Sequence, residues 1–272
     1  MTVIEHIVLS GGGPVGLLEC GALKYLSINK FIEYKNIKSI YCTSVGGIIG
    51  FIYILNFDWS WIDDFFIKRP WSNLMNLNSN DYINIFYNKG LLDKSIIVNS
   101  LKSLFLAKDI SLEITLKEFY KLTNIELNLY TSNLNKFKKE KLNYINNPEL
   151  KLIDAIYMSL TVPILFIPLY INNAFYLDGG IFINCPVNEC LMEKKCHIDS
   201  VLCFMNDKRN PIDLSNNFYI ENNYGLDENK NNLNNDSNFF EFIIHIIKTL
   251  FNNISVIENE NIIIIKNIIN IA

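Results

Sequence analysis

Three short segments of this sequence contain the residue types that acyl transfer requires: a glycine run at 11–13, a serine at position 44 and an aspartate at position 178. Backbone N–H groups in a glycine run can bind an oxyanion, Ser44 can serve as a nucleophile, and Asp178 can serve as its base. Each signal is weak alone, because Ser44 also fits an ordinary helix N-cap and Asp178 an ordinary Asp-Gly turn. Their combination predicts an acyl hydrolase with a Ser-Asp pair.

The glycine run opens a segment that lies between a predicted strand and a predicted helix. Glycines let backbone N–H groups approach a bound anion without side-chain obstruction, and the N-terminus of the following helix adds its positive dipole end. Pro14 has no N–H group, so it supplies no donor. The predicted oxyanion-hole donors are Gly11, Gly12 and Gly13, and Gly16 supports the motif.

The same glycines also fit the G-x-G-x-x-G pattern of dinucleotide-binding folds. Such a fold needs an acidic residue at the end of the next strand to bind the ribose. Here the next predicted strand ends in Tyr-Cys-Thr-Ser at 41–44, without a carboxylate, and no Gly-Lys-Ser/Thr follows the glycines. A nucleotide-dependent oxidoreductase is therefore the third alternative, and no cofactor is predicted.

Ser44 lies where a predicted strand meets a predicted helix, in the segment Cys-Thr-Ser-Val-Gly-Gly at 42–47. A serine on such a turn holds its hydroxyl at the carboxyl edge of the sheet, and small residues such as Gly46 allow the sharp change of direction. No histidine stands in a catalytic-looking setting; the three are His6, His197 and His245. The sequence therefore predicts a Ser-Asp dyad rather than a Ser-His-Asp triad.

Asp178 directly follows a predicted strand and precedes Gly179 and Gly180. A carboxylate is a weaker base than an imidazole at neutral pH, so a raised pKa would help Asp178 to accept the proton of Ser44. Partial burial would raise that pKa, because burial disfavours the charged form.

The elements that must position these residues alternate between strands and helices, which predicts an α/β fold with parallel neighbouring strands. Apolar runs predict strands at 4–10, 37–43, 125–132 and 198–204, with a strand pair at 166–177. Helical spacing predicts helices at 16–29, 45–56, 93–106 and 151–161, with a further helix that starts between 111 and 115. The aromatic-rich stretch 59–88 fits an acyl pocket and ordinary core packing equally well.

Composition divides the chain into a catalytic domain and a C-terminal stretch of different character. Residues 1–205 contain all three chemical segments and form the predicted catalytic domain. Residues 206–237 are rich in Asn and Asp, which indicates a loop or a disordered insertion. Residues 238–272 are predicted to complete the same domain with a helix at 239–251 and a candidate last strand at 261–268.

The bulk properties exclude several classes of protein. The 272 residues carry a well-mixed formal net charge of −4, which argues against a nucleic-acid-binding face, and the lysine-rich stretch 136–141 indicates a solvated turn. Six cysteines without C-x-x-C spacing indicate reduced thiols and no metal site. The absence of a signal peptide and of an apolar run of about 18 residues predicts a cytoplasmic protein without a transmembrane segment that visits membranes peripherally.

Four blocks in this sequence resemble those of the patatin-like phospholipases and occur in the family's order. The first is LSGGGPVGLLECGALKYL at 9–26, and the second is TSVGG at 43–47. The third is AIYMSLTVPILFIP at 155–168, and the fourth is YLDGGIFINCPV at 176–187, which ends in Asn-x-Pro. The resemblance covers about residues 1–205.

This resemblance implies a three-layer α/β/α sandwich with a mainly parallel central sheet. It implies that Ser44 is the nucleophile, that Asp178 activates it and that the glycine run lines the oxyanion hole. The implied substrate is an acyl lipid, a phospholipid or a neutral ester, met at a membrane surface and cleaved without a metal. The motif glycines that the resemblance also matches are Gly16, Gly46, Gly179 and Gly180.

Two positions depart from the family's pattern. Cys42 stands where the nucleophile motif begins with Gly, which could displace the turn at Ser44 slightly. Val15 stands where the glycine loop usually carries Lys or Arg, which reduces positive charge near the site. Both departures motivate the main alternative, a non-catalytic relative that binds lipids or a partner. The lipid class, its positional preference and the oligomeric state are left open.

Overall fold

A computed structural model describes residues 3–74, 85, 87–205 and 268–270. Within these ranges the strands are β1 (His6–Leu9), β2 (Ser39–Thr43), β3 (Gly90–Leu92), β4 (Glu126–Asn133), β5 (Lys138–Leu142), β6 (Ile164–Phe166), β7 (Leu169–Ile171), β8 (Ala174–Asp178), β9 (Val201–Met205) and β10 (Ile268–Asn270). The helices are α1 (Gly16–Ile28), α2 (Val45–Ile54), α3 (Trp59–Ile67), α4 (Lys94–Ala107), α5 (Leu116–Thr123), α6 (Leu152–Ser159) and α7 (Val187–Lys194).

The central sheet has eight strands, in the order β10-β9-β1-β2-β4-β8-β7 with β5 added beside β4. The first five strands of this order run parallel. β5 and β8 run antiparallel to β4, and β7 runs antiparallel to β8. β3 and β6 form a separate parallel pair. The prediction of a mainly parallel α/β sheet is confirmed.

Alternate side chains of the strands point into two apolar layers, because successive residues of a strand face opposite sides of the sheet. Ile7, Ile40 and Leu129 lie in the larger core, which also contains apolar residues of α1 to α6. Val8 and Tyr41 lie in the smaller core, which Cys190 of α7 completes. Helices therefore cover both faces of the sheet, as the three-layer prediction requires.

Local capping explains why the helix predicted to start between 111 and 115 begins at Leu116. The hydroxyl of Thr115 accepts the N–H of Glu118 at 3.2 Å, and the Glu118 carboxylate accepts the N–H of Thr115 at 2.8 Å. This reciprocal capping box satisfies donors that the first turn would otherwise leave free. The helix ends at Thr123, and its C-cap residue Asn124 has a φ of 55°, in the left-handed region.

The lysine-rich stretch forms a strand instead of the predicted turn. β5 pairs with β4, and its lysines reach acidic residues of α7: Lys139 contacts Glu189 at 2.9 Å, and Lys141 contacts Glu193 at 2.5 Å. Charged side chains are common on edge strands, where they oppose pairing with other chains. Apolar periodicity cannot reveal such a strand.

The other predicted elements have mixed outcomes. The strand pair predicted at 166–177 is confirmed as the antiparallel pair of β7 and β8, and the short strand β6 precedes it and pairs with β3. Aromatic residues of α3 and of the turn after it pack against the larger core, as Trp61 and Trp71 do. The loop predicted at 206–237 and the helix at 239–251 lie outside the described residues, as does the predicted strand 261–268 except for Ile268, the first residue of β10.

Candidate active site

β2 and β8 meet end to end along one side of β4. Thr43, the last residue of β2, pairs with Tyr130, and Asp178, the last residue of β8, pairs with the next residue, Thr131. β5 pairs with residues 129–133 of β4 and so occupies its other side. Since β2 and β8 run in opposite directions, their carboxyl ends face each other. Ser44 and Asp178 therefore converge on one point of the sheet, although they lie far apart in the sequence.

Ser44 has a backbone conformation that side-chain-bearing residues rarely adopt, with φ 55° and ψ −128°. Such strain is typical of a nucleophile held on a sharp strand-to-helix turn. Ser44 is the N-cap residue of α2, but its side chain accepts no hydrogen bond from the helix. The hydroxyl is therefore available for chemistry, although the residue is only 8% exposed.

Asp178 is a buried carboxyl group, 5% exposed, that lies beside Ser44. Its Oδ1 accepts the N–H of Gly180 at 2.7 Å, whereas Oδ2 has no hydrogen-bond partner among the described residues. Burial raises the pKa of Asp178 to about 6, against the opposing effects of the Ser44 hydroxyl and the Gly180 N–H. The Ser44 hydroxyl thus lies near enough to lower the pKa of Asp178, although the two groups do not form a hydrogen bond of normal geometry. Catalytic hydrogen bonds often shorten only when substrate binds.

The glycine run packs directly against Ser44. A Cβ atom at Gly11 would lie 3.2 Å from the Cβ of Ser44 and 2.5 Å from Oδ1 of Asn184, so a larger residue would displace the Asn184 side chain and press on Ser44. The N–H of Gly11 donates to the backbone oxygen of Asn184 at 3.0 Å, and Nδ2 of Asn184 donates to the oxygen of Gly11 at 3.1 Å. Gly11 therefore offers no free N–H, which reduces the predicted donor set to Gly12 and Gly13.

The predicted supporting glycines lie at close approaches between elements. A Cβ atom at Gly46 would lie 2.6 Å from the backbone oxygen of Leu9, and one at Gly179 would collide with the oxygen of Tyr130. A Cβ at Gly16 would collide with the side chain of Val45, and one at Gly180 would lie 2.9 Å from Oδ1 of Asp178. Larger residues would push the glycine loop, the turn at Ser44 and the end of β8 apart.

Three further residues hold the site together, and sequence reasoning assigned them no role. Ser159 accepts the N–H of Ser44 at 3.0 Å, and the backbone oxygen of Thr161 accepts the N–H of Asp178 at 2.7 Å. Asn184 binds Gly11 through the two hydrogen bonds of 3.0 and 3.1 Å. Ser159 and Asn184 lie in the third and fourth sequence blocks, before Pro163 and Pro186, so these Ser-x-x-x-Pro and Asn-x-Pro patterns were the signal available.

A family model described as patatin-like phospholipase matches residues 7–191, which include every candidate site residue. The chain belongs to this family. It is 31% identical over 188 residues to probable lipid hydrolase 463L of Invertebrate iridescent virus 6, which covers 68% of this chain and 62% of that protein. It is 25% identical over 184 residues to the uncharacterized protein R571 of Acanthamoeba polyphaga mimivirus, which covers 68% of this chain and 60% of that one.

A solved structure shares the fold at low sequence identity. VipD from Legionella pneumophila is 16% identical with a TM-score of 0.51, over 75% of this chain and 50% of that one. The chain spans about three fifths of the length of the two curated relatives. Among the residues that the structure describes, no helix is long and apolar enough to cross a membrane.

The departure of Cys42 from the patatin-like nucleophile motif is accommodated by a second glycine. Cys42 is fully buried, and a Cβ atom at Gly50 of α2 would lie 2.7 Å from its Sγ. The thiol therefore occupies space that a side chain at position 50 would fill. Burial also raises the pKa of this thiol, so it stays protonated at neutral pH. The reduced positive charge predicted near the site concerns the side chain of Val15, which lies outside the described part of the chain.

Neither described histidine contacts the patatin-like site. Nδ1 of His6 lies 2.8 Å from the Ser39 hydroxyl within the sheet, and His197 contacts Asp199 at 3.4 Å at the start of a short turn. His245 lies outside the described residues. Within those residues the titratable group that interacts with the Ser44 hydroxyl is the carboxyl group of Asp178.

A second buried carboxyl group lies just behind the glycine loop. Glu19 of α1 is 2% exposed, and its Oε1 accepts the hydroxyl of Ser10 at 3.1 Å. Burial raises the pKa of Glu19 to about 8, so the group is largely protonated at neutral pH. Glu19 thus joins α1 to the end of β1 as a neutral acid.

Proposed function

We propose that this chain hydrolyses the carboxylic esters of acyl lipids through an acyl-Ser44 intermediate, with Asp178 as the base. The observation that carries the proposal is the end-to-end meeting of β2 and β8, which brings a strained serine to a buried carboxyl group with one unpaired oxygen. A serine kept only as a helix cap would use its side chain to bind a helix N–H, and Ser44 does not.

Asp178 accepts the proton of Ser44 as the serine oxygen attacks the ester carbonyl carbon. A pKa of about 6 leaves Asp178 ionised at pH 7 while making it a better base than an exposed aspartate. The alcohol then leaves with the proton that Asp178 returns. Water attacks the acyl-enzyme in the second half of the reaction, with Asp178 again the base, and the fatty acid is released.

The oxyanion that forms in each half-reaction is bound by the N–H groups of Gly12 and Gly13, each worth about 3 kcal/mol in comparable sites. Gly13 has a φ of 57°, a conformation that favours glycine. The N-terminus of α2, directly after Ser44, adds the positive end of the helix dipole at the same place.

The lipid substrate is supported by two observations of different kinds. The family description names phospholipases, and the iridescent virus relative is named a probable lipid hydrolase. Next to the site, Leu17 and Leu18 are exposed on the first turn of α1, immediately after the glycine loop. Exposed apolar side chains at the entrance suit a substrate that is presented by a lipid surface.

A second candidate function is lipid binding without hydrolysis. It is favoured by the hydrogen bond between the N–H of Gly11 and Asn184, which removes one of three predicted oxyanion donors. In that case the acyl group would bind at Ser44 without forming an ester.

The decisive experiment compares wild type, Ser44→Ala and Asp178→Asn with a fluorophosphonate probe and with mixed phosphatidylcholine–phosphatidylglycerol vesicles. We expect covalent labelling of Ser44 and release of free fatty acid, both reduced by at least about 10³-fold in the variants. Ser111→Ala, at an exposed serine outside the site, is the matched control and should behave like wild type. Folded wild type that neither labels nor releases fatty acid, yet still binds the vesicles, would establish the second candidate instead.

A further inference from the structure

Two cysteine thiols lie in contact on the side of the sheet opposite α2. Sγ of Cys185 is 3.4 Å from Sγ of Cys203. Cys203 is buried in β9, where it pairs in register with Val8 of β1, and Cys185 is partly exposed just before Pro186, the N-cap of α7. The two thiols therefore join the segment after β8 to the core of the sheet.

The surroundings of the two thiols differ, and the difference gives them different chemical roles. The contact with Cys185 and burial both raise the pKa of Cys203, so this thiol is protonated and shielded from reagents. Cys185 is accessible to small solutes through its exposed part. Two more cysteines, Cys190 of α7 and Cys196, pack in the same small core and supply alternative pairings against which the contact can be tested.

We propose that Cys185 and Cys203 form a redox modification site in which a peroxide converts the two thiols to a reversible disulfide. The Cys185 thiol loses its proton, the thiolate attacks one peroxide oxygen and the O–O bond breaks, which gives a sulfenic acid. For hydrogen peroxide, the released hydroxide takes up that proton and leaves as water. Cys203 then loses its proton and attacks the sulfur of Cys185, the S–S bond forms, and the hydroxyl leaves as a second water. A thiol reductant reverses the reaction by thiol–disulfide exchange.

The modification acts on the candidate active site through the residue next to Cys185. Asn184 holds Gly11 by the two hydrogen bonds of 3.0 and 3.1 Å, and Gly11 packs on Ser44. A disulfide has an S–S length of about 2.0 Å, so the sulfur atoms must approach by about 1.4 Å from their present 3.4 Å. Because the partly exposed Cys185 segment moves more easily than β9, the approach displaces the neighbouring Asn184 from its present position against Gly11. This consequence for activity rests on the proposed hydrolase function.

The pairing can be read directly from peptide masses. The reduced protein is treated with hydrogen peroxide, its remaining thiols are alkylated, and the chain is cleaved after acidic residues. Cleavage after Glu189 separates Cys185 from Cys190, and cleavage after Asp199 separates Cys196 from Cys203. Trypsin would leave each of these two pairs on one peptide. We expect a cross-linked peptide pair that contains Cys185 and Cys203 and that disappears after reduction.

Activity is measured on the same samples with a soluble ester. We expect oxidation to lower the esterase activity of wild type at least about tenfold and reduction to restore it. A misplacement of catalytic groups by about 1 Å can lower the rate by 10²-fold. Cys185→Ala should keep its activity in peroxide, whereas Cys196→Ala, the matched control at a partly exposed cysteine of the same core, should be inactivated like wild type.

Each outcome has a distinct meaning. Peroxide-treated protein with Cys185 and Cys203 unbridged, or with either thiol bridged to Cys190 or Cys196, would overturn the proposal. A correct bridge without loss of activity would overturn the coupling through Asn184. Since the bridge is identified by mass alone, it can be established even in a protein whose reduced form hydrolyses no ester, so failure of the hydrolase function is distinguishable.

Discussion

The backbone N–H of Ser44 donates to the hydroxyl of Ser159 at 3.0 Å, and that hydroxyl donates in turn to the backbone oxygen of Tyr130 at 2.7 Å. Tyr130 is the β4 residue opposite the last residue of β2, at the junction where β8 begins to take over the pairing. Ser159, at the end of α6, therefore bridges the break between the two strands and holds the turn at Ser44 in place.

We predict that Ser159→Ala lowers kcat by about tenfold or more while the protein remains folded. The substitution removes the hydroxyl acceptor of the buried N–H of Ser44 and one donor to the oxygen of Tyr130, at a cost of about 1–3 kcal/mol in the free energy of unfolding. Ser200→Ala is the matched control, because it also removes the hydroxyl of a buried serine that donates to a backbone oxygen, that of His197, outside the site. Ester hydrolysis and urea unfolding measure both effects, and an equal loss of kcat in the two variants would contradict the role of Ser159.

The pKa of Asp178 predicts the pH dependence of catalysis. Since the base must be ionised and its pKa is raised to about 6, kcat/KM should fall about tenfold for each pH unit below 6 and level off above it. The profile should be recorded between pH 4.5 and 8.5 with a neutral soluble ester, so that the substrate does not titrate. A profile that stays level down to pH 5 would exclude Asp178 as the base with this pKa.

Glu19 predicts a pH dependence of stability that a single substitution removes. Burial raises the pKa of Glu19 from 4.5 to about 8 in the folded state. Between pH 4.5 and pH 8, Glu19 is therefore protonated in the folded protein and ionised in the unfolded protein. Stability therefore falls as pH rises through this window, by up to about 1.4 kcal/mol per pH unit.

Glu19→Gln carries no charge at any pH, so its free energy of unfolding should exceed that of wild type by an amount that grows from pH 5 to pH 8. Urea unfolding of both proteins at pH 5, 6.5 and 8 provides the comparison. Because Asp178 is present in both, its own titration cancels in the difference. If the difference in the free energy of unfolding between the two proteins is the same at all three pH values, Glu19 does not have a raised pKa.

The contact between Cys42 and Gly50 predicts a coupled pair of substitutions. Gly50→Ala would place a Cβ 2.7 Å from the sulfur of Cys42 and 3.2 Å from Cγ2 of Ile40, and such overpacking costs about 1–3 kcal/mol. Cys42→Ala removes the sulfur and makes room for the new methyl group. The double variant should therefore be more stable than the sum of the single changes predicts, by about 1 kcal/mol or more. A double-mutant cycle by urea unfolding measures this coupling, and strict additivity would contradict it.

Most of the helices and strands near the site could be predicted from local sequence. The strand at 37–43 is recognisable as a short apolar run and the helix at 151–161 by the helical spacing of its apolar residues, and the observed bounds differ by only a few residues. β5 could not be predicted in this way, because its residues Lys138–Leu142 are mostly charged. What makes it a strand is its pairing with β4, which is a tertiary contact.

The sequence by itself determined the family, the α/β class, and Ser44 and Asp178 as nucleophile and base of the hypothesis. These follow from residue types at short spacing, since a turn between a strand and a helix depends on its own few residues. Only the tertiary structure decided that β2 and β8 meet head to head on β4, that Ser159 bridges their junction, and that Asn184 occupies the N–H of Gly11. These contacts join residues that lie far apart in the chain, and no local pattern specifies which of many polar groups will satisfy a given buried N–H.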